Sequence, residues 1–392
     1  MVLPGSASAR FYEFVGRRWL PLGYLVLLTG LFWVVERSQY SKAFYVLLVL
    51  PAFIAAVMRP AVLGQLVREP IVQAFLLFSA WVLLSLAWTS STDSPGSLSK
   101  RPLYVFMLLL ACAVMAMQEE RLLLGVLRIA GVIASVAAAV GIVDFLVHPP
   151  ALNRLIGTGG LVNPLLTSHL LGFFSVYWLT VWTTRIEGRA WLPPLALLPL
   201  LGAILATGSR TPLMAIAVSI GWLLLVDKGR RVSVVASVLA LIGVALAYFL
   251  PDSILQRGLS YRPELWQAAL NQAIDHLWFG YGYGSEFRFR IPGNLRSWLD
   301  PHNVELAVLL ELGLVGLSIW GLMFGLAIAR CLRLNRQPEF KVASSLLIFG
   351  LAAGMTEGSN FLSRPNESWF LTWLPLSLVI GLSLQQRLRE KA

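Results

Sequence analysis

The sequence predicts an all-α polytopic membrane protein of about twelve transmembrane helices with one large external loop, on three observations. Of its 392 residues, 57% are hydrophobic and only 13% are charged, with a mean hydropathy of +0.72, whereas a soluble domain carries about 25% charged residues. The apolar residues gather into repeated runs of roughly 16 to 26 positions, close to the ~20 that an α-helix needs to cross a hydrocarbon core of about 30 Å. At that length per span, the chain has no room for a separate soluble domain. A soluble globular protein is excluded. The formal charge of +11, from 31 Lys+Arg against 20 Asp+Glu, would suggest nucleic acid in a soluble protein, but here it is assigned first to membrane orientation, with no nucleic-acid partner expected.

The apolar windows fall at about 19–35, 43–58, 71–88, 102–117, 122–147, 165–183, 190–207, 211–226, 232–250, 303–328, 342–356 and 368–384. The first is preceded by Arg10, Arg17 and Arg18 and has no small-residue cleavage site after it, so it reads as a retained helix and not as a signal peptide. The windows at 43–58, 211–226 and 342–356 are short for a span, and are expected to extend into their flanks, tilt less, or pack against protein. The chain is therefore divided into helices one to nine over 1–250, an external loop over 251–302, and helices ten to twelve over 303–392, all in one integral-membrane domain. With the N-terminus placed in the cytoplasm, 18 Lys and Arg lie inside and 12 outside, with Arg128 within a span; five of the outer ones belong to the long loop, which leaves 18 against 7 in short segments. That asymmetry supports an even number of spans with both termini inside.

Cys112 and Cys331 fall in or beside spans and read as packing residues, not as a disulfide. The four histidines, His148, His169, His276 and His302, lie in separate segments without HxxxH or CxxC spacing, so no metal site is expected. Residues 279–284, FGYGYG, superficially suggest a phosphate loop. They lack the strand-to-helix setting and the lysine, and read as a glycine-and-aromatic turn.

The loop 251–302 has no net charge, and its residues 262–276 form an amphipathic helix with Leu265, Trp266, Ala269, Leu270 and Ala273 at helical spacing. It suits either a lid over a site at the outer leaflet or a solvated loop anchored by aromatic residues at the interface. Three residues point to a site. His302 opens a span after Asp-Pro, where a group titrating near neutral pH can exchange protons; the alternative is a structural histidine. Arg210, in the short turn TGSRTP between two spans, sits at or near membrane depth, where it needs an anion or a headgroup. Arg262 begins the loop helix against the helix dipole, so a bound anion there meets both the guanidinium and the helix end. Two arginines with a nearby histidine suit a phosphorylated lipid, because guanidinium groups hold phosphate oxygens by paired charge-assisted bonds and stabilise a diphosphate leaving group.

These residues resemble a known family. RPELWQAAL, FGYGYG and HNVELAVLLELGLVGL, with GSRTPLMA and IGTGGLVNPLLTSHLL upstream, are similar to the motifs of the O-antigen ligase and polymerase superfamily of bacterial inner-membrane glycosyltransferases, at motif level over about 155–320. The resemblance implies a GT-C-like, roughly twelve-helix fold with a large periplasmic loop between the ninth and tenth spans. It also implies an undecaprenyl-diphosphate-linked glycan donor, an acceptor sugar hydroxyl, inversion at the anomeric carbon, and neither metal nor cofactor. Carried onto this sequence, Arg210 and Arg262 bind the diphosphate and His302 acts as general base or orients the acceptor hydroxyl. Arg257, Arg288, Asn303 and Glu305 are candidate supporting residues; Glu305, one turn after His302, suits either orienting it or facing water as an interface carboxylate. The loop also carries Arg290, so which further arginine completes the diphosphate site stays open.

Within the superfamily, the single long external loop favours a ligase acting on lipid A-core oligosaccharide over a polymerase using the same carrier. A non-enzymatic polysaccharide-lipid transporter would line its interior with mid-span charges. Here those are few, Glu311 and Asp144 among them, and the cations cluster at the outer face.

Overall fold

The computed structural model describes residues 7–119, 121–151, 153–186, 190–249, 261–291, 297–358 and 360–390. Each of the twelve apolar windows falls on a helix. The chain begins with α1 (Ala7–Phe14), which continues through a π-turn into α2 (Leu20–Thr29), and then α3 (Arg37–Phe44) continues in the same way into α4 (Leu50–Met58). Next come α5 (Pro60–Val67), α6 (Pro70–Ser85), the single turn α7 (Pro95–Leu98), α8 (Lys100–Gln118) and α9 (Leu122–Val147). They are followed by α10 (Pro164–Thr184), α11 (Leu192–Thr207), α12 (Thr211–Val226), α13 (Arg230–Phe249) and the loop helix α14 (Arg262–Ile274). The chain closes with α15 (Val304–Arg333), α16 (Pro338–Gly354) and α17 (Trp373–Arg389).

The sequence sets many of these boundaries directly. Proline stands in the first turn of α6, α10, α11, α12 and α16, where a missing N–H costs no helical bond. Asn163 caps α10 by accepting from Leu165 N at 2.8 Å, and Gly208, with φ of 62°, ends α11 in the left-handed conformation.

Among the described residues, five helical stretches are long and apolar enough to cross a membrane: Arg37–Met58, Pro95–Gln118, Leu122–Val147, Pro164–Thr184 and Val304–Arg333. A sixth is counted when α5 and α6, bent by 84°, are taken as one. The short window at 43–58 is indeed the core of a 22-residue helix, whereas α11 and α12 remain shorter apolar helices. The molecule is an all-α membrane protein. Its centre is α10, whose most apolar window is 83% buried, against 28% for Arg37–Met58. Large apolar side chains such as Leu146 and Leu225 are more than 70% exposed on outer helices, a surface that suits lipid.

The helix ends sort into two groups. At one end, Arg387 pairs with Glu69 (3.0 Å), Lys341 with Asp227 (2.9 Å), and Arg59 lies over the Tyr12 ring. At the other, Arg37 pairs with Glu367 (2.6 Å), Leu155 N donates to Ala206 O (2.9 Å), and the loop after α13 meets the ends of α6, α12, α15 and α16.

The loop does more than lie on this end. Helix α15 breaks at Gly313, where φ is 67° and ψ is −170°, and FGYGYG docks against the break. Tyr281 N donates to Leu310 O (2.9 Å), Gly282 N to Glu311 O (2.8 Å), and Leu314 N to Leu277 O (2.8 Å). Trp81 Nε1 donates to Leu312 O at 3.0 Å. Backbone groups freed by a break at membrane depth would cost several kcal/mol each if left unpaired. A Cβ on Gly280 would sit 2.4 Å from the Glu311 carbonyl, and one on Gly313 2.3 Å from Trp278 O, so both positions demand glycine. The expected turn is present, and its glycines serve close approach to a helix backbone. A two-residue antiparallel ladder, β1 (Phe289–Arg290) with β2 (Ser297–Trp298), closes the far side of the loop.

Candidate active site

The amphipathic helix forms over the residues anticipated. Its Leu265, Ala269 and Ala273 are buried against Phe287, Phe289, Leu309 and Leu310, while Leu270, expected on the same face, is exposed. This packing lays α14 across the start of α15 and aims its first residue, Arg262, at the bundle. There Arg262 Nη2 meets Glu357 Oε2 at 2.6 Å and lies 3.5 Å from the Thr211 hydroxyl. Sequence reasoning left the cation at this helix start to be met by a bound anion. The structure supplies a carboxylate, from the polar segment between α16 and α17.

His302 is in the left-handed region, with φ of 49°, a conformation costing of order 1–3 kcal/mol for such a residue. Asp300 holds it there, since Oδ1 accepts from the His302 backbone N at 2.9 Å and faces Nδ1 at 2.8 Å. Glu357 Oε1 lies 3.6 Å from the same Nδ1. With two carboxylates on Nδ1, that nitrogen carries the proton of a neutral ring, and Nε2 keeps its lone pair. The hydrogen bond with Asp300 raises the His302 pKa above its ordinary value; burial opposes this, Glu357 adds to it and Arg262 subtracts. Burial pushes Asp300 up, but its bonds with His302 outweigh that and bring it below the usual carboxylate range. Burial raises Glu357, against the pull of His302 and Arg262.

Asn303 and Glu305 stand at the start of α15. Asn303 caps α15, accepting from Leu306 N at 2.9 Å, and donates to Met355 O at 2.8 Å, so it fixes the backbone beside His302 and ties α15 to α16. Glu305 does not orient the histidine. The carboxylates in contact with the ring are Asp300 and Glu357, and a buried Glu305 oxygen has no hydrogen-bond partner among the described residues.

Arg210 is the N-cap residue of α12, one residue before the Thr211 that Arg262 approaches, and is exposed. Arg154 braces the same turn, donating to Thr207 O (2.6 Å) and the Ser209 hydroxyl (3.2 Å). Arg257 lies outside the described residues. Arg288 is separate from Arg262. It lines a cavity of about 420 Å³ with Arg101, Tyr283, Glu286, Asp300, Glu311 and Asn360. Sequence reasoning missed Glu357, Asp300, Arg154 and Arg101 as site residues. The signal available was the polar run TEGSNFLSRPNES between two apolar windows. A second, apolar cavity of about 690 Å³ runs between α10, α11, α12 and α13, lined by Leu205, Leu213 and Ile216 among others. Among the described residues, no group of three or more His, Cys, Asp or Glu side chains is placed to hold a metal ion.

Residues 195–321 match the O-antigen ligase family model. The stretch begins in α11 and ends past the break in α15, so it contains Arg210, Arg262 and His302. The chain is also 42% identical to an O-antigen ligase of Pseudomonas aeruginosa over 369 residues, covering 94% of this chain and 91% of that protein. The chain belongs to the O-antigen ligase family. It is accordingly an enzyme of the glycosyltransferase type that serves lipopolysaccharide biosynthesis. In this O-antigen ligase family member, Glu357 and Arg101 come from outside the matched stretch and complete the surroundings of residues inside it.

Proposed function

We propose that the enzyme transfers O-antigen polysaccharide from undecaprenyl diphosphate to the lipid A-core oligosaccharide at the periplasmic face of the bacterial inner membrane. In this reading the chain spans the membrane twelve times, keeps both termini in the cytoplasm, and turns the His302 end of the bundle to the periplasm. The observation that carries it is the convergence of Arg262 and His302 on Glu357, beside Arg210.

Arg262 and Arg210 take the diphosphate. Binding draws Arg262 off Glu357, and the released carboxylate turns more fully to His302 Nδ1. The acceptor hydroxyl oxygen attacks the anomeric carbon from the face opposite the diphosphate, the bond from carbon to diphosphate oxygen breaks, and the pair of electrons leaves on undecaprenyl diphosphate. The hydroxyl proton passes to His302 Nε2, and configuration inverts. An anomeric carbon already activated by diphosphate needs alignment, leaving-group stabilisation and one proton acceptor, so no step is routed through a metal or cofactor. The apolar cavity begins at Leu205 and Leu213, next to Arg210, and is lined almost wholly by carbon, as a polyprenyl chain lying in the bilayer requires.

Deletion followed by lipopolysaccharide electrophoresis tests the reaction. Bare core with long polymer retained on the carrier is expected, whereas core bearing a single repeat would assign the enzyme as a polymerase using the same donor. His302→Ala is expected to abolish transfer with the protein still inserted and the donor accumulating. Unchanged surface polysaccharide in that strain would refute the role of His302.

A further inference from the structure

Two carboxylates share His302 Nδ1, and each leads to different surroundings. Glu357 leads to Arg262 and, through it, to Thr211. Asp300 lines the cavity of about 420 Å³, within the roughly 300–1,000 Å³ usual for small-ligand sites. We infer that this cavity receives the terminal sugar of the acceptor oligosaccharide, and that Arg288 serves the acceptor and not the diphosphate. The inference rests on the transfer reaction proposed above and assigns its second substrate a place.

Asp300 joins the histidine to the cavity. The carboxylate that fixes His302 Nδ1 also forms part of the cavity wall, so a sugar bound there lies one side chain away from the histidine. The wall is built before any ligand arrives. Tyr283 donates its hydroxyl to Leu362 O at 2.6 Å, Arg101 Nη1 donates to the Tyr283 oxygen at 3.2 Å, and Gly284 N donates to Glu311 Oε2 at 2.6 Å. Glu286 is steadied by the Thr92 hydroxyl. These contacts come from the start of α8, the docked loop and α15, so the cavity takes shape only when the loop has seated against the helix break.

Its chemistry is that of a carbohydrate site. Carboxyl groups at Glu286, Asp300 and Glu311 and the Asn360 amide suit the hydroxyl groups of a sugar. Arg101 and Arg288 on the same wall suit an anionic substituent on that sugar. The carbon-lined groove at α10 to α13 offers none of this and is suited to lipid. Donor carrier and acceptor sugar are thus assigned to different cavities.

The test is binding of core oligosaccharide, freed of lipid A, to the full-length enzyme in detergent, read by intrinsic tryptophan fluorescence, alongside initial rates of transfer. Glu286→Gln and Asn360→Ala alter an exposed loop side chain and an exposed linker side chain and are expected to fold normally. Each is expected to weaken oligosaccharide binding about tenfold and raise the acceptor KM by a similar factor, with the donor KM unchanged. Arg262→Ala is expected to leave oligosaccharide binding as in the wild type. Unaltered oligosaccharide affinity in both cavity variants, or a rise in donor KM in its place, would overturn the assignment. A wild-type enzyme that binds the oligosaccharide through these residues yet transfers no glycan would uphold the cavity and overturn the transfer reaction.

Discussion

The two ends of the helix bundle both carry ion pairs, but they use them differently. Away from His302, Lys341 meets Asp227 and Arg387 meets Glu69, each closing one helix or connecting turn against another. Around His302 the charges are shared, although Arg37 and Glu367 at the same end form a simple pair. Glu357 divides its oxygens between Arg262 and His302, and His302 Nδ1 faces both Glu357 and Asp300. A group with one partner locks a contact, whereas a group with two can shift between them when a ligand competes for one. The first end holds the bundle together, and the second is set to rearrange.

The sharpest way to break this contrast is Glu357→Gln. If Glu357 passes from Arg262 to His302 during turnover, the variant should lose about a hundredfold in transfer rate, within the ~10²–10⁴ typical of a general-base step, while retaining normal expression and thermal stability. A fall in melting temperature without loss of rate would make Glu357 a lock like its counterparts at the opposite end. Asp300→Asn comes next. It removes the largest influence raising the His302 pKa, so the acid limb of the rate profile, where His302 becomes protonated and can no longer accept a proton, should move to lower pH. The plateau rate should also drop about tenfold or more as the preferred ring tautomer is lost. An acid limb unmoved in rate measurements across pH would remove His302 as the titrating group. The smallest effect is expected from Lys341→Ala, which breaks a partly buried pair and should cost about 1 kcal/mol, seen as a melting shift of a few degrees in detergent with transfer unaffected. A large loss of transfer would mean that the two ends are coupled.

Much of this architecture was legible in the sequence, because span length and proline placement are local properties. All twelve apolar windows fall on helices, and α14 forms over the anticipated residues. Arg262 was singled out as a cation working against a helix dipole and His302 as a titratable group at the membrane boundary, and the two converge on Glu357. Their partner was not legible. Glu357 lies 95 positions beyond Arg262, and nothing in local spacing pairs a residue after one span with a residue before another. Glu305 was offered as an orienting carboxylate on helical spacing, with an interface carboxylate facing water as the alternative. That spacing fails here because His302 stands outside the helix in a left-handed turn. The break at Gly313 was hidden for the opposite reason: the apolar pattern of α15 runs through it without interruption.

That break also constrains the order of assembly. The groups that complete the α15 backbone, residues 277 to 282, precede it in the chain and are synthesised first. They have to be in place at the His302 end before α15 can give up water, since bare N–H and C=O groups are penalised in hydrocarbon. Helix α15 therefore enters the bilayer as a segment with a defect, and its final seating waits on the loop. A helix of this kind cannot be transplanted without its loop, and a change at Gly280, which touches no substrate, would surface as a failure of insertion and not of chemistry.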